Sequence, residues 1–156
     1  MEKDYKLYSS KAIANEFIRL AQKDNKTLTH MQLQKLIYFA HAVTLVIFKH
    51  PLVKNGFQAW PFGPVNLELY LELQGSGKNG IEKYINLDQY HNDIKYDEKT
   101  MKIIDSIYKK LGDKDGWELS KMTHQKGHPW SSVYKKGKSN LIDDNAIMYF
   151  YSKDLE

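Results

Sequence analysis

Apolar residues recur at helical intervals along most of the chain. Ile13, Phe17, Leu20 and Ala21 fall three and four positions apart behind Ser9 or Ser10, either of which can cap, and predict a first helix ending near Lys23. Asp24-Asn25-Lys26 is a polar turn. Thr29 and Gln32 then stand in capping-box register, hydroxyl and amide each satisfying the other's free backbone N–H, so a second helix is predicted from there. Its main stripe is Leu33, Leu36, Ile37, Ala40, Val43 and Ile47, and Phe39, Val46 and Phe48 make its second half apolar nearly all round, which places it at the centre of the fold. His50-Pro51 ends it, because proline lacks a donor and pushes the preceding residue out of helical geometry.

Beyond Leu52-Val53 and a turn at Asn55-Gly56, Phe57 to Trp60 reads as a short strand or hairpin. Gly63-Pro64 is expected to open a third helix, with Pro64 at its first position and Val65, Leu67, Leu69, Leu71 and Leu73 following, closed by Gly75-Ser76-Gly77. From Ile81 to Tyr96 the pattern weakens to a loop with an extended piece near Tyr84 to Leu87. Asp97 caps a fourth helix bearing Met101, Ile104, Ile107, Tyr108 and Leu111 and closed by Gly112, and a fifth runs from Trp117 to His124. Gly127-His128-Pro129-Trp130 breaks the pattern, Lys135 to Lys138 reads as a solvated loop, and Asp143 or Asp144 caps a last helix with Ile147, Phe150 and Tyr151. The expected fold is mainly α, a single compact helical domain over residues 1–156 with about six helices and a small β hairpin or sheet element.

Composition adds limits. A hydrophobic share of 42% and an aromatic share of 13% over 156 residues suffice for one core and argue against disorder. Cysteine is absent, which removes disulfides and thiolate chemistry and agrees with a reducing, cytoplasmic setting. Met1 to Lys6 are charged and show no secretory signal, and the apolar run Ile37 to Phe48, interrupted by His41 and Thr44, is too short and polar to cross a bilayer, so no membrane partner is expected. The net charge is +4, yet of 23 basic residues only Arg19 is arginine, which argues against base readout and leaves Lys135, Lys136 and Lys138 as the weak case for nucleic-acid binding.

Candidate chemistry is sparse. Gly75-Ser76-Gly77-Lys78 resembles a phosphate loop, but Asn79 stands where Ser or Thr is required and a helix, not a strand, precedes it. His124 and His128 have the four-residue spacing of two zinc ligands on one helix face and define an alternative, a metal-dependent hydrolase; Gly127 and Pro129 argue that the helix does not continue through them. No carboxylate pair or nucleophile elbow stands out. Neither metal nor cofactor is expected, and the chain is not expected to be an enzyme. The aromatics Trp60 and Phe62 beside Gly63-Pro64, and Trp130 beside Pro129, are either packing around tight turns or anchors for a partner; packing weighs more for Trp130.

Three segments then carry a resemblance. Ala12 to Phe17, Leu28 to Ala40 with its Leu33-Gln34-Lys35-Leu36-Ile37-Tyr38-Phe39 core, and Phe57 to Val65 with Leu69-Tyr70, followed by Thr123-His124 and Pro129-Trp130, resemble the Panacea-domain antitoxin family of phage-associated Gep-like proteins. The resemblance implies a mainly helical bacterial or phage-borne antitoxin that neutralises a cognate toxin by direct protein contact; a protease adaptor delivering the toxin is the variant reading. Leu33, Leu36, Tyr38, Phe39, Gly63, Pro64, Thr123, His124 and Trp130 are then scaffold positions. His41-Ala42 and Asn66 depart from the family pattern and are expected on the surface rim.

Lys35 is a charge set between Leu33 and Leu36, off the main apolar stripe with Gln34, so it must be solvated or paired. Lys35, Trp60, Phe62 and Tyr70 are expected to border one partner-binding face.

Overall fold

Among the described residues, six of the seven helices begin on a side chain that accepts a backbone N–H. The computed structural model describes residues 5–87, 94 and 97–153. Helix α1 (Ser10–Lys23) starts on Ser9, and α2 (His30–Phe48) on the Thr29/Gln32 capping box, both halves of which are formed. Asp97 caps α4 (Glu98–Leu111), and Asp143 caps α7 (Asp144–Ser152). Asp115 and Glu118 form a second capping box at the head of α5 (Gly116–His124).

The third helix begins later than the sequence pattern indicates. Gly63–Val65 is a strand, β3, and α3 spans Leu67–Leu73 with Asn66 as its cap, the Oδ1 accepting from Leu69 N at 3.1 Å. Pro64 is tolerated in β3 because that strand lies at a sheet edge, where a missing donor costs nothing. In the sheet β3-β2-β5, both pairings are antiparallel, with β2 (Phe57–Trp60) central and β5 (Leu141–Ile142) on its other side. A second ladder pairs β1 (Leu28–Thr29) with β4 (Gly80–Ile81).

The extended piece expected near Tyr84 to Leu87 is not a strand; the pairing is made upstream, at β4. Residues 88–93 and 95–96 of the predicted Ile81–Tyr96 loop lie outside the described residues, as do residues 1–4 of the charged N-terminus. The break at Gly127 is real, but Pro129 at the first helical position opens one further turn, α6 (Pro129–Val133). The fold is thus mainly α with small antiparallel sheets.

Helix α2 is the axis around which the rest packs, with α1, α3, α4, α5, α7 and β3 against it. Over its full length it is long and apolar enough to cross a membrane, unlike the shorter Ile37–Phe48 run, yet 72% of that window is buried inside the fold. Its buried sector is wider than the predicted stripe: Gln34 and Lys35 are buried, whereas Ile47 is exposed. Leu33, Leu36, Tyr38 and Phe39 join a cluster reaching from Tyr8 to Ile147, with Phe57 edge-on to Tyr38.

The two departures expected on the surface rim are both buried. His41 Nδ1 accepts from Leu52 N and Val53 N, and Nε2 meets Asp144 Oδ1 at 2.9 Å. Asn66 donates to the Lys54 and Gly56 carbonyls and its Oδ1 accepts from Ser10 Oγ at 2.6 Å, so one side chain ties α1, α3 and the loop before β2. A buried amide is stable there because its hydrogen-bonding capacity is used.

Candidate partner-binding site

Trp60 to Gly63 turns β2 back into β3, and its carbonyls are held one after another from outside the hairpin. Trp130 Nε1 donates to Trp60 O at 2.6 Å, and Ser120 Oγ donates to Phe62 O at 2.7 Å. Between them, His124 Nε2 lies 2.8 Å from Pro61 O, and past the glycine Lys35 Nζ donates to Pro64 O at 3.2 Å. Gly63 has φ +115°, and a Cβ there would come within 2.8 Å of Lys35 Cε and of Thr123 Oγ1. Only a residue without a side chain fits this backbone and this gap. Thr123 is buried and donates to Ser120 O, so α5 presents a settled surface to the turn. The late Thr123-His124 and Pro129-Trp130 pairs therefore fix the position of a turn some sixty residues upstream.

The turn closes one side of a cavity of about 390 Å³. His30, Met31, Gln34 and Lys35 line it from the start of α2, Trp60, Pro61 and Phe62 from the turn, Val65 from β3 and Tyr70 from α3. The four residues expected at a partner face thus line one cavity. Lys35 departs from expectation in one respect: it is only 1% exposed, so it is a buried charge within the wall and not part of an outward rim. Burial pushes its ammonium down to about 7. His30, likewise desolvated and next to the Lys35 charge, is pushed down to about 4.

Around the mouth the surface is aromatic. Trp60 and Tyr70 are half-buried with ring centroids 4.6 Å apart. Phe62, at the tip of the turn, and Trp117, in the first turn of α5, are both more than half exposed and meet edge-to-face at 5.3 Å. Trp117, His30 and Gln34 were not anticipated as site residues. Trp117 has a sequence signal, since it precedes the buried Leu119, Ser120 and Thr123 of the same short helix; the placement of His30 and Gln34 depends on what crosses α2.

His124 and His128 are not brought together. The His124 ring lies on Trp130 at 3.9 Å, with Nδ1 2.6 Å from Ser120 O, while the His128 ring lies against Phe150 at 4.3 Å. Gln125 already leaves helical geometry, and Gly127 has φ +90°, so the helical register linking the pair is lost. Among the described residues no group of three or more His, Asp or Glu side chains is placed to hold a metal ion. Lys135, Lys136 and Lys138 are exposed between α6 and β5, away from the residues lining the cavity.

Over 148 aligned residues the chain is 28% identical to antitoxin SocA of Caulobacter vibrioides (strain NA1000 / CB15N), covering 90% of this chain and 78% of that protein. No solved structure matches. The family model for the antitoxin SocA-like Panacea domain matches residues 33–131, a span that contains the Lys35 position, the Trp60–Gly63 turn and the α5–α6 residues that hold it, and the chain belongs to that family.

Proposed function

We propose that this chain is an antitoxin that neutralises a cognate toxin by direct, stoichiometric binding in the cytoplasm, through the surface formed by Trp60, Phe62, Tyr70 and Trp117 around the Lys35 cavity. The observation that carries the proposal is the family membership together with 90% coverage by a relative named as an antitoxin. The surface supports it: exposed and half-exposed aromatics around a concave, rigidly backed site are the residue types that anchor protein interfaces. Rigidity matters because a turn whose carbonyls are already satisfied loses little conformational entropy on binding.

Co-expression with the product of the adjacent gene tests the proposal. Growth arrest by that product alone, relieved by this chain and accompanied by a stable complex on size-exclusion chromatography, is the expected result. A product that is harmless alone, or that stays toxic in the presence of this chain, rejects it.

A further inference from the structure

We infer that the cavity beside the Trp60–Gly63 turn is a receptor for a carboxylate side chain of the bound protein, an Asp or Glu that enters beside the Trp60–Tyr70 pair and pairs with the Lys35 ammonium. This rests on the proposed antitoxin function and names the chemistry of the contact. The starting point is a buried cation with too few partners. Lys35 Nζ has three donors, and among the described residues its one hydrogen-bond acceptor is the Pro64 carbonyl. A buried ammonium is costly unless paired, and pairing normally comes from a carboxylate. No Asp or Glu lines this cavity.

Structure alone does not require the charge to be there. A methionine would fill the same stem volume between Leu33 and Leu36 at no desolvation cost. Lys35 instead is one of the residues that line an open cavity, so a carboxylate entering that cavity approaches the charge. Burial lowers the dielectric around Lys35, so its Coulombic attraction to a carboxylate is stronger there than at a solvated lysine.

A second donor points the same way. Gln34 is oriented by its two bonds to the Asn66 backbone, so its Nε2 carries the hydrogens and donates to His30 Nε2 at 3.1 Å. His30 therefore carries its proton on Nδ1, and among the described residues that donor meets no acceptor. Lys35 and His30, a cationic and a neutral N–H donor, line one cavity together with the paired rings of Trp60 and Tyr70, which give an entering aliphatic stem an apolar surface. The cavity, about 390 Å³, is the size of a small-molecule site and has the volume for one carboxylate side chain.

The test uses the full chain and two probes of equal shape, 3-phenylpropanoate and 3-phenylpropanamide, followed by chemical-shift changes at Gln34, Val65 and Tyr70. The acid is expected to bind with a dissociation constant of about 1 mM and the amide about tenfold more weakly. Lys35→Met should erase the difference while remaining folded by its thermal transition. The same variant should lose at least about tenfold in affinity for the toxin identified by co-expression, and Asp→Asn or Glu→Gln replacement of one acidic toxin residue should reproduce that loss. Equal binding of acid and amide, or binding of neither, overturns the inference. So does a Lys35→Met variant that holds the toxin as tightly as the wild type, a result that leaves the antitoxin function standing and reduces the cavity to a site for free carboxylates. If the acid binds but no neighbouring product is neutralised, the antitoxin function fails instead.

Discussion

Gln34 meets the backbone of Asn66 as a neighbouring β-strand would: its Oε1 accepts from Asn66 N at 2.8 Å and its Nε2 donates to Asn66 O at 3.2 Å. One buried side chain on α2 thereby engages both backbone groups of the residue that follows β3 and caps α3, whose carbonyl also accepts from Tyr70 N. It joins the central helix to the element carrying Tyr70 and sets the distance across the cavity.

Replacing Gln34 with Met keeps the volume and removes both bonds. Asn66 N is then left buried without its acceptor, while Asn66 O keeps the donor Tyr70 N of α3 at 3.0 Å, and a loss of about 1–3 kcal/mol is expected. Urea denaturation measures it; a midpoint equal to that of the wild type would show that Asn66 N finds another acceptor.

Lys35 has the opposite sign. Its value in the folded protein, about 7, lies below its ordinary 10.5, so between those limits the unfolded chain binds more protons and stability rises with pH. The penalty is fully present below pH 7, on the order of 5 kcal/mol, and fades as pH climbs toward 10.5. Lys35→Met should therefore be more stable than the wild type at pH 6, with the gap narrowing steadily between pH 7 and 9.5. Thermal melts of the two proteins across that window check the sign; a constant gap would mean that the folded lysine does not titrate there.

Gly63→Ala should destabilise by about 2–4 kcal/mol, since it combines a positive φ with a Cβ pressed against Lys35 and Thr123. Gly77→Ala is the control, because its φ is also positive but no atom lies within 4 Å of the added carbon. Similar losses in both would assign the effect to φ alone.

Phe62→Ala and Trp117→Ala remove the exposed edge-to-face pair at the cavity mouth. Stability should change by less than about 1 kcal/mol, while each variant weakens toxin binding by more than about 1 kcal/mol. Calorimetric titration against the purified toxin separates the two quantities. Unchanged affinity in both variants would move the interface elsewhere on the fold.

The starts of α1, α2, α4 and α7 and the central position of α2 were legible in the chain itself, whereas the start of α3 and the turn of α6 were not. Ser9, the Thr29/Gln32 pair, Asp97 and Asp143 act on N–H groups within their own first turn, so their effect does not depend on what packs nearby. The motif around Leu33–Phe39, the Trp60–Pro64 turn and the Thr123–Trp130 stretch likewise carried the family. Tertiary structure decided the rest. Pro64 became an edge strand because β2 was there to pair with it, and Gln34 and Lys35 became buried because β3 and α3 cross α2 on the side that the apolar stripe leaves uncovered. His41 and Asn66 moved from the expected surface to the interior because distant backbone groups needed partners. Local hydrogen bonds and periodicity are written in neighbouring residues; the environment of a buried polar group is set by segments far away in sequence, and that environment is what makes Lys35 a candidate for recognition.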